Sequence, residues 1–321
     1  MRKIFLTVFF LAIVFTSTQV CAQQDPQFSM YMLNPLYYNP AFAGVEGITK
    51  MTVMHRNQWM GYSTAFDGGG GAPTTQVVSL TTPVLRMRSG VGVHVVNDKL
   101  GPLHNIDAKV SYAYHLAINE TKLSFGLSAG IYSQAINKSY YRYNDVPDPI
   151  VSMLEESQIR PDMSGGVYYR AQKYFAGVSF SHLTKSEFDF AADDLKNALE
   201  NHMFVTAGYD YEYNYDLTIT FSGLLKNVNL NSTSFELSAI GYYKDKFWGG
   251  LSYRQSEAAI AMLGYSLFKD NSLRFGYAFD YVINHPEAKA PTSHEFLLSY
   301  SLPVASGDGK KPVRTPRFRH Q

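Results

Sequence analysis

The chain of 321 residues contains a single cysteine, Cys21, and this cysteine lies within the pattern of a secretory signal peptide. Residues 2–3 are basic, residues 4–15 form an apolar run too short to span a bilayer, and the small residue Ala22 precedes the expected cleavage site. We therefore predict that residues 1–22 are a signal peptide removed on export. The mature chain then has no cysteine, which excludes disulfides and thiol chemistry.

Lipidation at Cys21 is the alternative to this cleavage. A lipoprotein signal places a small residue immediately before the cysteine, and Val20 fits that position poorly. Cleavage after Ala22 is the interpretation that the residues favour.

The sequence also lacks net charge and long apolar segments. Removal of the signal takes Lys and Arg from 28 to 26 against 27 acidic residues, a formal net charge of −1. A balanced chain has no overall field to attract nucleic acid. No later apolar run approaches the roughly 20 residues that a transmembrane helix requires.

Aromatic residues, by contrast, are abundant, with 24 tyrosines and 21 phenylalanines. Many segments alternate apolar and small or polar residues, which is the pattern of strands. In residues 123–131, for example, Leu, Phe, Leu, Ala and Ile alternate with Ser, Gly, Ser and Gly, and residues 203–211 and 273–281 behave similarly. A soluble sandwich would also bury such apolar faces. The small, polar opposite face and the aromatic excess instead favour an all-β fold, an antiparallel up-and-down transmembrane barrel.

The alternation predicts about 14 strands, and the connections between them alternate in length. The predicted strands are 48–59, 75–84, 90–97, 105–118, 122–135, 163–171, 174–183, 202–213, 215–225, 233–243, 246–254, 258–267, 272–282 and 293–302. The connections expected to be long are 60–74, 98–104, 136–162, 184–201, 226–232 and 283–292; the one at 255–257 is short where a long one is expected. Short periplasmic turns and long external loops are typical of outer-membrane barrels, and an even strand count places both termini in the periplasm. Residues 150–157 and 186–201 are expected to form short helices.

Candidate catalytic residues are scattered. The histidines and serines in or near strands are His94, His115, His182, Ser181 and Ser252. No nucleophile-elbow motif occurs, and His, Asp and Glu do not cluster at the spacing of metal ligands. We predict no enzymatic activity, no cofactor and no metal site.

Charged residues on predicted strands are candidates for the barrel interior. They are Arg56, Lys109, Arg170, Arg254, Arg274, Asp107, Asp210, Glu236, Asp280 and Glu295. Two interpretations remain open: a network of ion pairs across the lumen, or a lining that selects solutes.

Before the first strand, residues 23–47 form a segment that is both irregular and apolar. Three prolines prevent a regular helix, yet the segment is rich in aromatic residues and methionine, so it must lie against the lumen or a partner. Lumen packing is favoured for residues 34–44, with residues 25–33 nearer the periplasmic mouth. The residues assigned to this plug or docking segment are Asp25, Pro26, Gln27, Phe28, Tyr31, Asn34, Pro35, Tyr37, Tyr38, Asn39, Pro40, Phe42 and Gly44.

After the barrel, residues 303–321 form a basic tail that contains Pro316, Arg317 and Phe318. A tail this short cannot fold alone. It is either a solvated end or a segment that binds a periplasmic partner.

The segment Asp25 to Gly44, the sequence Arg56-Asn57-Gln58-Trp59 in the first predicted strand, and the ending Thr315-Pro316-Arg317-Phe318 together resemble the PorP/SprF family. These are outer-membrane proteins of the type IX secretion and gliding machinery of Bacteroidetes. The resemblance implies a barrel of about this size, residues 48–302, that helps to secrete or anchor surface proteins bearing a conserved C-terminal domain. It implies no catalytic residues.

The resemblance further implies the partners: periplasmic and outer-membrane lipoprotein or ring components of the machinery, a secreted surface protein, and outer-membrane lipid. The expected function is to dock or anchor such cargo at the outer membrane. The alternative is a porin for small solutes, or a transporter of hydrophobic ligands, with the N-terminal segment as a hatch.

Overall fold

Fourteen antiparallel strands close into a barrel, which confirms the predicted fold class. The computed structural model describes residues 25–62, 71–137, 157–190, 196–230, 232–268, 271–284 and 290–302. The barrel strands are β1 (Thr49–Asn57), β2 (Thr74–Val84), β3 (Ser89–Leu100), β4 (Leu103–Ile118), β5 (Thr121–Ile136), β6 (Ser157–Arg170), β7 (Tyr174–Ser181), β10 (His202–Glu212), β11 (Leu217–Val228), β12 (Ser232–Tyr243), β13 (Phe247–Arg254), β14 (Ala258–Leu267), β15 (Leu273–Val282) and β16 (Thr292–Leu302). A separate two-stranded sheet pairs β8 (Glu187–Asp189) with β9 (Lys196–Ala198).

The two faces of each strand differ as the alternation predicts. Along β5, Phe125, Leu127 and Ile131 point outward and are exposed, while Ser124 and Ser128 point inward and are buried. An outward apolar band with a polar inner face is the arrangement that a bilayer requires of a barrel. Within the described part of the chain, no helix is long and apolar enough to cross a membrane.

The first and last strands place both ends of the barrel chain on the same side. Thr49 pairs with Leu302 where β1 begins and β16 ends, and we call this side the terminal end and the opposite side the distal end. On the outer surface near the terminal end, Tyr174 stacks on Tyr209 with ring centroids 6.1 Å apart. Exposed aromatic side chains at that level form one of the girdles expected at a membrane interface.

The connections differ in part from the prediction. At the distal end, the one expected to be long at 98–104 is a two-residue turn, because β3 runs to Leu100 and β4 begins at Leu103. The connection after β11 is likewise short, since that strand runs to Val228. These strands extend beyond the span that a bilayer needs, so residues counted as loop are paired as strand. The connection at 255–257 is short, as the sequence predicts, because β13 ends at Arg254 and β14 begins at Ala258.

The expected helix at 186–201 is wrong. The described residues there form β8 and β9, and the aromatic rings of Phe188 and Phe190 stack with centroids 6.1 Å apart. Both rings are buried against Tyr132 on the inner face of β5. Two apolar residues spaced by two bury their side chains together on a strand, whereas a helix would turn them apart. The expected helix at 150–157 lies almost entirely outside the described residues.

In the residues that the structure describes, helical structure is limited to short turns. They are Tyr31–Leu33, Pro35–Tyr38, Pro40–Phe42 and Leu85–Met87. Three of the four belong to the segment that precedes β1. The predicted signal peptide and the basic tail lie outside the described residues.

The outward band generates the first prediction. Leu127, 66% exposed near the middle of β5, contacts lipid if the barrel spans a bilayer. Leu127→Arg should destabilise the protein folded in lipid vesicles by about 2–4 kcal/mol, measured by urea unfolding. The matched control is Leu230→Arg in the turn after β11, which should cost at most about 1 kcal/mol. Equal costs at the two positions would contradict the assignment of the lipid face.

Candidate functional site

The segment that precedes β1 lies inside the barrel. Most of its side chains from Asp25 to Val45 are buried, including those of Phe28, Tyr38 and Phe42. Pro35 and Pro40 each begin a helical turn, where the absence of a backbone donor costs nothing. The segment therefore crosses the lumen as a series of short turns.

An apolar cluster joins residues 28–38 of the segment to the barrel wall. Phe28, Met30 and Tyr31 pack with inward side chains from most of the barrel's strands. The wall residues in the cluster are Met54, Val77, Val96, Phe204, Leu224, Ile240, Trp248, Ala258, Ile260, Met262, Ala278 and Leu297. The predicted inner face is small and polar, but it also carries this apolar belt, against which the segment packs.

A network of buried charges holds the segment at Ser29. The backbone amides of Ser29 and Met30 donate to the Glu295 carboxylate at 2.7 and 2.9 Å. The Ser29 hydroxyl donates to Asp280, and Arg56 Nη1 donates to the same hydroxyl at 2.6 Å. The segment thus supplies hydrogen bonds to carboxylates that the wall arginines alone do not saturate.

The wall charges themselves are paired. Arg56 contacts Asp280 at 2.8 Å and Glu295 at 3.3 Å, and Arg254 contacts Glu236 at 2.8 Å. Gln27 Nε2 also donates to Glu236 at 3.0 Å. Of the two interpretations of these charges, the structure supports the network of ion pairs.

Residues 25–33 are expected nearer the periplasmic mouth. In the structure their partners lie at the distal end, opposite the end at which β1 begins and β16 ends. Arg56 is the second-last residue of β1, and Arg254 is the last residue of β13. The buried charges at that end determine the direction of the segment, because they require donors that Ser29 and Met30 provide.

Nearer the terminal end, hydrogen bonds from asparagines fix the segment. Asn34 Oδ1 accepts from the Ser79 hydroxyl at 2.7 Å. Asn39 Oδ1 accepts from the amide of Ala41 at 2.9 Å, and its Nδ2 donates to the carbonyl of Val167 at 3.0 Å. Each asparagine therefore satisfies buried backbone or hydroxyl groups that the turns leave open.

Two inward glycines let the segment approach the wall closely. A Cβ on Gly126 would lie 2.2 Å from the amide nitrogen of Ala41, and one on Gly90 would lie 2.1 Å from the carbonyl oxygen of Ala43. Gly44 has a φ of +72° and donates its amide to Thr81 at 2.7 Å, where the chain turns toward β1. Side chains at these wall positions would exclude the segment.

The tyrosines of the segment interact mainly with one another and with the wall. Tyr38 accepts a hydrogen bond from the amide of Phe28 at 3.0 Å, and Tyr37 donates to the carbonyl of Pro26 at 3.1 Å. Burial raises the pKa of the Tyr31 hydroxyl to about 12, so this group stays neutral.

The other predicted site residues are partly outside the lumen. Gln58 and Trp59, expected in the first strand, follow its last residue, Asn57. Trp59 has a φ of +52°, and its amide donates to the Ser293 hydroxyl at 3.0 Å. They therefore lie just beyond β1 at the distal end, beside the start of β16. Pro316, Arg317 and Phe318 lie outside the described residues.

A cluster that the sequence spacing did not indicate lies at the start of the segment. Asp25 contacts His182 Nε2 at 2.9 Å and His202 Nδ1 at 2.5 Å, and His182 Nδ1 contacts Asp162 at 2.7 Å. Burial alone lowers the pKa of His182, but Asp25 and Asp162 outweigh it and raise the pKa to about 9.

The remaining catalytic candidates are on the inner wall. His115 Nδ1 lies 2.8 Å from the Ser124 hydroxyl, and Ser252 donates to Ser238 at 2.5 Å. His94 Nε2 lies 3.7 Å from Asp107, and Ser181 is buried at the end of β7. The candidates are thus distributed over several strands and are not gathered in one site.

A cavity of about 380 Å³ separates the segment from one side of the wall. Tyr31, Phe42, Tyr168 and Phe175 contribute aromatic walls, and residues 119–122 lie at its rim. These rim residues belong to the turn between β4 and β5, so the cavity lies toward the terminal end.

The family model described as type IX secretion system membrane protein PorP/SprF matches residues 20–300, which include the lumen segment and the barrel. The chain belongs to the PorP/SprF family. It is therefore an outer-membrane barrel of the type IX secretion system, as the resemblance implied. No curated protein is similar enough in sequence to match this PorP/SprF chain.

Solved structures resemble the PorP/SprF barrel in fold. The Ralstonia pickettii toluene transporter TbuX has a TM-score of 0.50 and 11% identity, and the match covers 85% of this chain and 92% of that chain. The Pseudomonas putida toluene transporter TodX has a TM-score of 0.46 and 10% identity, and the match covers 83% of this chain and 92% of that chain. The Acinetobacter baumannii outer membrane protein Omp33 has a TM-score of 0.43 and 7% identity, and the match covers 79% of this chain and 97% of that chain. At this identity the TbuX match shows the outer-membrane barrel fold alone.

The ion network predicts a large cost for losing one arginine. Arg56→Met leaves Asp280 and Glu295 buried with too little positive charge, and should cost about 3–5 kcal/mol in urea unfolding of the protein folded in vesicles. Arg170 pairs with Asp210 at 2.8 Å but is 26% exposed, so Arg170→Met should cost below about 1 kcal/mol. A cost for Arg56→Met no larger than that of the control would contradict the network's role.

The close approach at Gly126 gives a second prediction. Gly126→Val should displace the segment around Ala41 while the barrel still folds. In the chain lacking Cys21, Ala43→Cys introduces a single buried thiol, and its reaction with maleimide should rise at least tenfold when Gly126→Val is added. Gly241→Val is the control, because a Cβ at Gly241 meets nothing closer than 3.7 Å. Unchanged labelling with Gly126→Val would show that the segment is not held against this wall.

Proposed function

We propose that this PorP/SprF barrel acts as a docking component of the secretion machinery and does not itself conduct protein. The observation that carries the proposal is the segment inside the lumen, fixed by hydrogen bonds between Ser29 and the buried charged side chains of Glu295, Asp280 and Arg56. A barrel of 14 strands is narrower than the porins that leave an aqueous channel. Together, the strand number and the occupied lumen favour a protein that works through its two surfaces.

Under this proposal, the distal end faces the cell exterior and the terminal end faces the periplasm. Support comes from the connections: those after β1, β5, β7 and β15, all at the distal end, are the longest. Outer-membrane barrels place short turns in the periplasm and long loops outside. The long distal loops would then engage cargo that bears the conserved C-terminal domain.

The basic tail supplies the second contact under the same proposal. It follows Leu302 at the terminal end, and therefore starts on the periplasmic side. Its Pro316, Arg317 and Phe318 would bind a periplasmic or lipoprotein component of the machinery. The lumen segment's role is structural: it closes the barrel and stiffens the surfaces that dock.

The test is a pull-down from cross-linked outer membranes with three versions of the protein. The unmodified protein should recover both a secreted surface protein and other secretion components. Replacing residues 138–156 by a glycine-serine linker should remove the cargo, and deletion of residues 303–321 should remove the periplasmic components.

The matched control replaces the terminal-end turn at residues 213–216, which should leave cargo recovery unchanged. Recovery of neither class of partner by the unmodified protein, with normal secretion of surface proteins in a deletion strain, would contradict the docking proposal.

A second candidate function is transport of a hydrophobic ligand, with the segment as a hatch. The aromatic cavity of about 380 Å³ toward the terminal end is the observation that favours it. Ligand pockets of this size and character are common. Purified protein in planar bilayers separates the two candidates: docking predicts no steady channels, while saturable uptake of a hydrophobic ligand would support transport.

A further inference from the structure

Three metal-ligating side chains from distant parts of the chain converge where the lumen segment begins. Asp25, His182 and His202 are all buried, and one ligand atom from each lies within 4.8 Å of the others. Asp25 is 157 residues from His182 and 177 from His202. This cluster is separate from the ion network at Ser29 that holds the next part of the segment.

The fold brings the two histidines together by strand pairing. His202 opens β10 and pairs with Ser181, the last residue of β7, so His182 follows directly beside it. His182 has a φ of +58°, in the left-handed region that a non-glycine residue adopts at some cost. In this conformation its two ring nitrogens face Asp25 and Asp162.

The surroundings of His182 resemble the support of a metal ligand. Asp162 accepts from Nδ1 of His182 at 2.7 Å, which leaves Nε2 directed at Asp25. Lys109 contacts Asp162 at 2.7 Å and keeps that carboxylate in place. Metal-bound histidines commonly hold a carboxylate on their second nitrogen, because it orients the ring and makes it a better donor.

We propose that Asp25, His182 and His202 bind one divalent transition-metal ion, Zn²⁺ by the chemistry of its ligands, which fastens the lumen segment to the wall. Two imidazoles and one carboxylate suit zinc and its first-row neighbours, whereas calcium and magnesium prefer oxygen donors alone. Zn²⁺ displaces the proton from Nε2 of His182, which passes to solvent, while the single proton of neutral His202 moves from Nδ1 to Nε2 so that Nδ1 binds the ion. Water completes the fourth position.

The distances are compatible with this exchange. Tetrahedral zinc with bonds of about 2.0–2.2 Å separates its ligand atoms by about 3.4 Å. The Asp25 oxygens lie 2.9 Å from His182 Nε2 and 2.5 Å from His202 Nδ1. Each ligand therefore needs to move by less than about 1 Å, which rotation of the side chains provides. Since Asp25 is on the segment and both histidines are on the wall, the ion would cross-link the two.

The experiment uses the untagged mature protein purified in detergent, stripped with EDTA and titrated with Zn²⁺. Elemental analysis after gel filtration should find one zinc per chain, and zinc should raise the midpoint of thermal unfolding by several degrees. His202→Ala and His182→Gln should each lower the zinc content at least tenfold. The control is His104→Ala, because His104 lies outside the cluster and contacts Asn97; its zinc content should be unchanged.

X-ray absorption of the zinc-loaded unmodified protein keeps the test valid if the histidine variants fail to fold. Two imidazole nitrogens and carboxylate or water oxygens around zinc would support the site. Less than a tenth of a zinc per chain, full binding in both histidine variants, or a spectrum with no imidazole would overturn it.

Discussion

The structure depends on carboxylates and arginines buried inside a barrel whose lumen holds the segment that precedes β1. Glu236, Asp280 and Glu295 lie on the inner wall with Arg56 and Arg254, and all five are almost inaccessible to solvent. Burial of charges is costly unless geometry and additional hydrogen bonds compensate for lost hydration. The amides of Ser29 and Met30 and the Ser29 hydroxyl provide those hydrogen bonds. Without the segment, the wall carboxylates would lose these donors, and without the wall, the segment would lose their acceptors.

The same dependence explains the interior of this PorP/SprF barrel. The belt of methionine, leucine, isoleucine and tryptophan side chains inside the wall would face water in an open barrel. The aromatic side chains of the segment cover that belt, and glycines in the wall allow the backbone of the segment to lie against it. The occupied lumen is the observation on which the docking proposal rests.

The barrel could be predicted from sequence because its signal is local. Each strand carries its own alternation, as in residues 123–131, and no knowledge of its neighbours is needed. Loop lengths are less predictable: the polar residues near Gly101 belong to β3 and β4, which continue to within one residue of it on the amino side and two on the carboxyl side, and composition does not distinguish such strand ends from loops.

The sequence predicts the individual residues of the site but not which of them contact one another. The charged lumen residues were identified as candidates, and the apolar segment required a surface to cover it. Their pairing was not predictable, since Ser29 meets Asp280 across 251 residues and Asp25 meets His202 across 177. Such contacts depend on the register of fourteen strands, which no local pattern encodes. For this reason no local pattern indicates that residues 25–33 lie toward the distal end of the barrel.

The most direct test of the central claim is amide hydrogen exchange of the folded protein in detergent, followed by mass spectrometry of residues 25–44. If the segment is part of the folded barrel, the amides of Ser29 and Met30, which donate to Glu295, should exchange as slowly as those of β5. Exchange of these two amides at the rate of an unstructured peptide, with the strands still protected, would contradict the account.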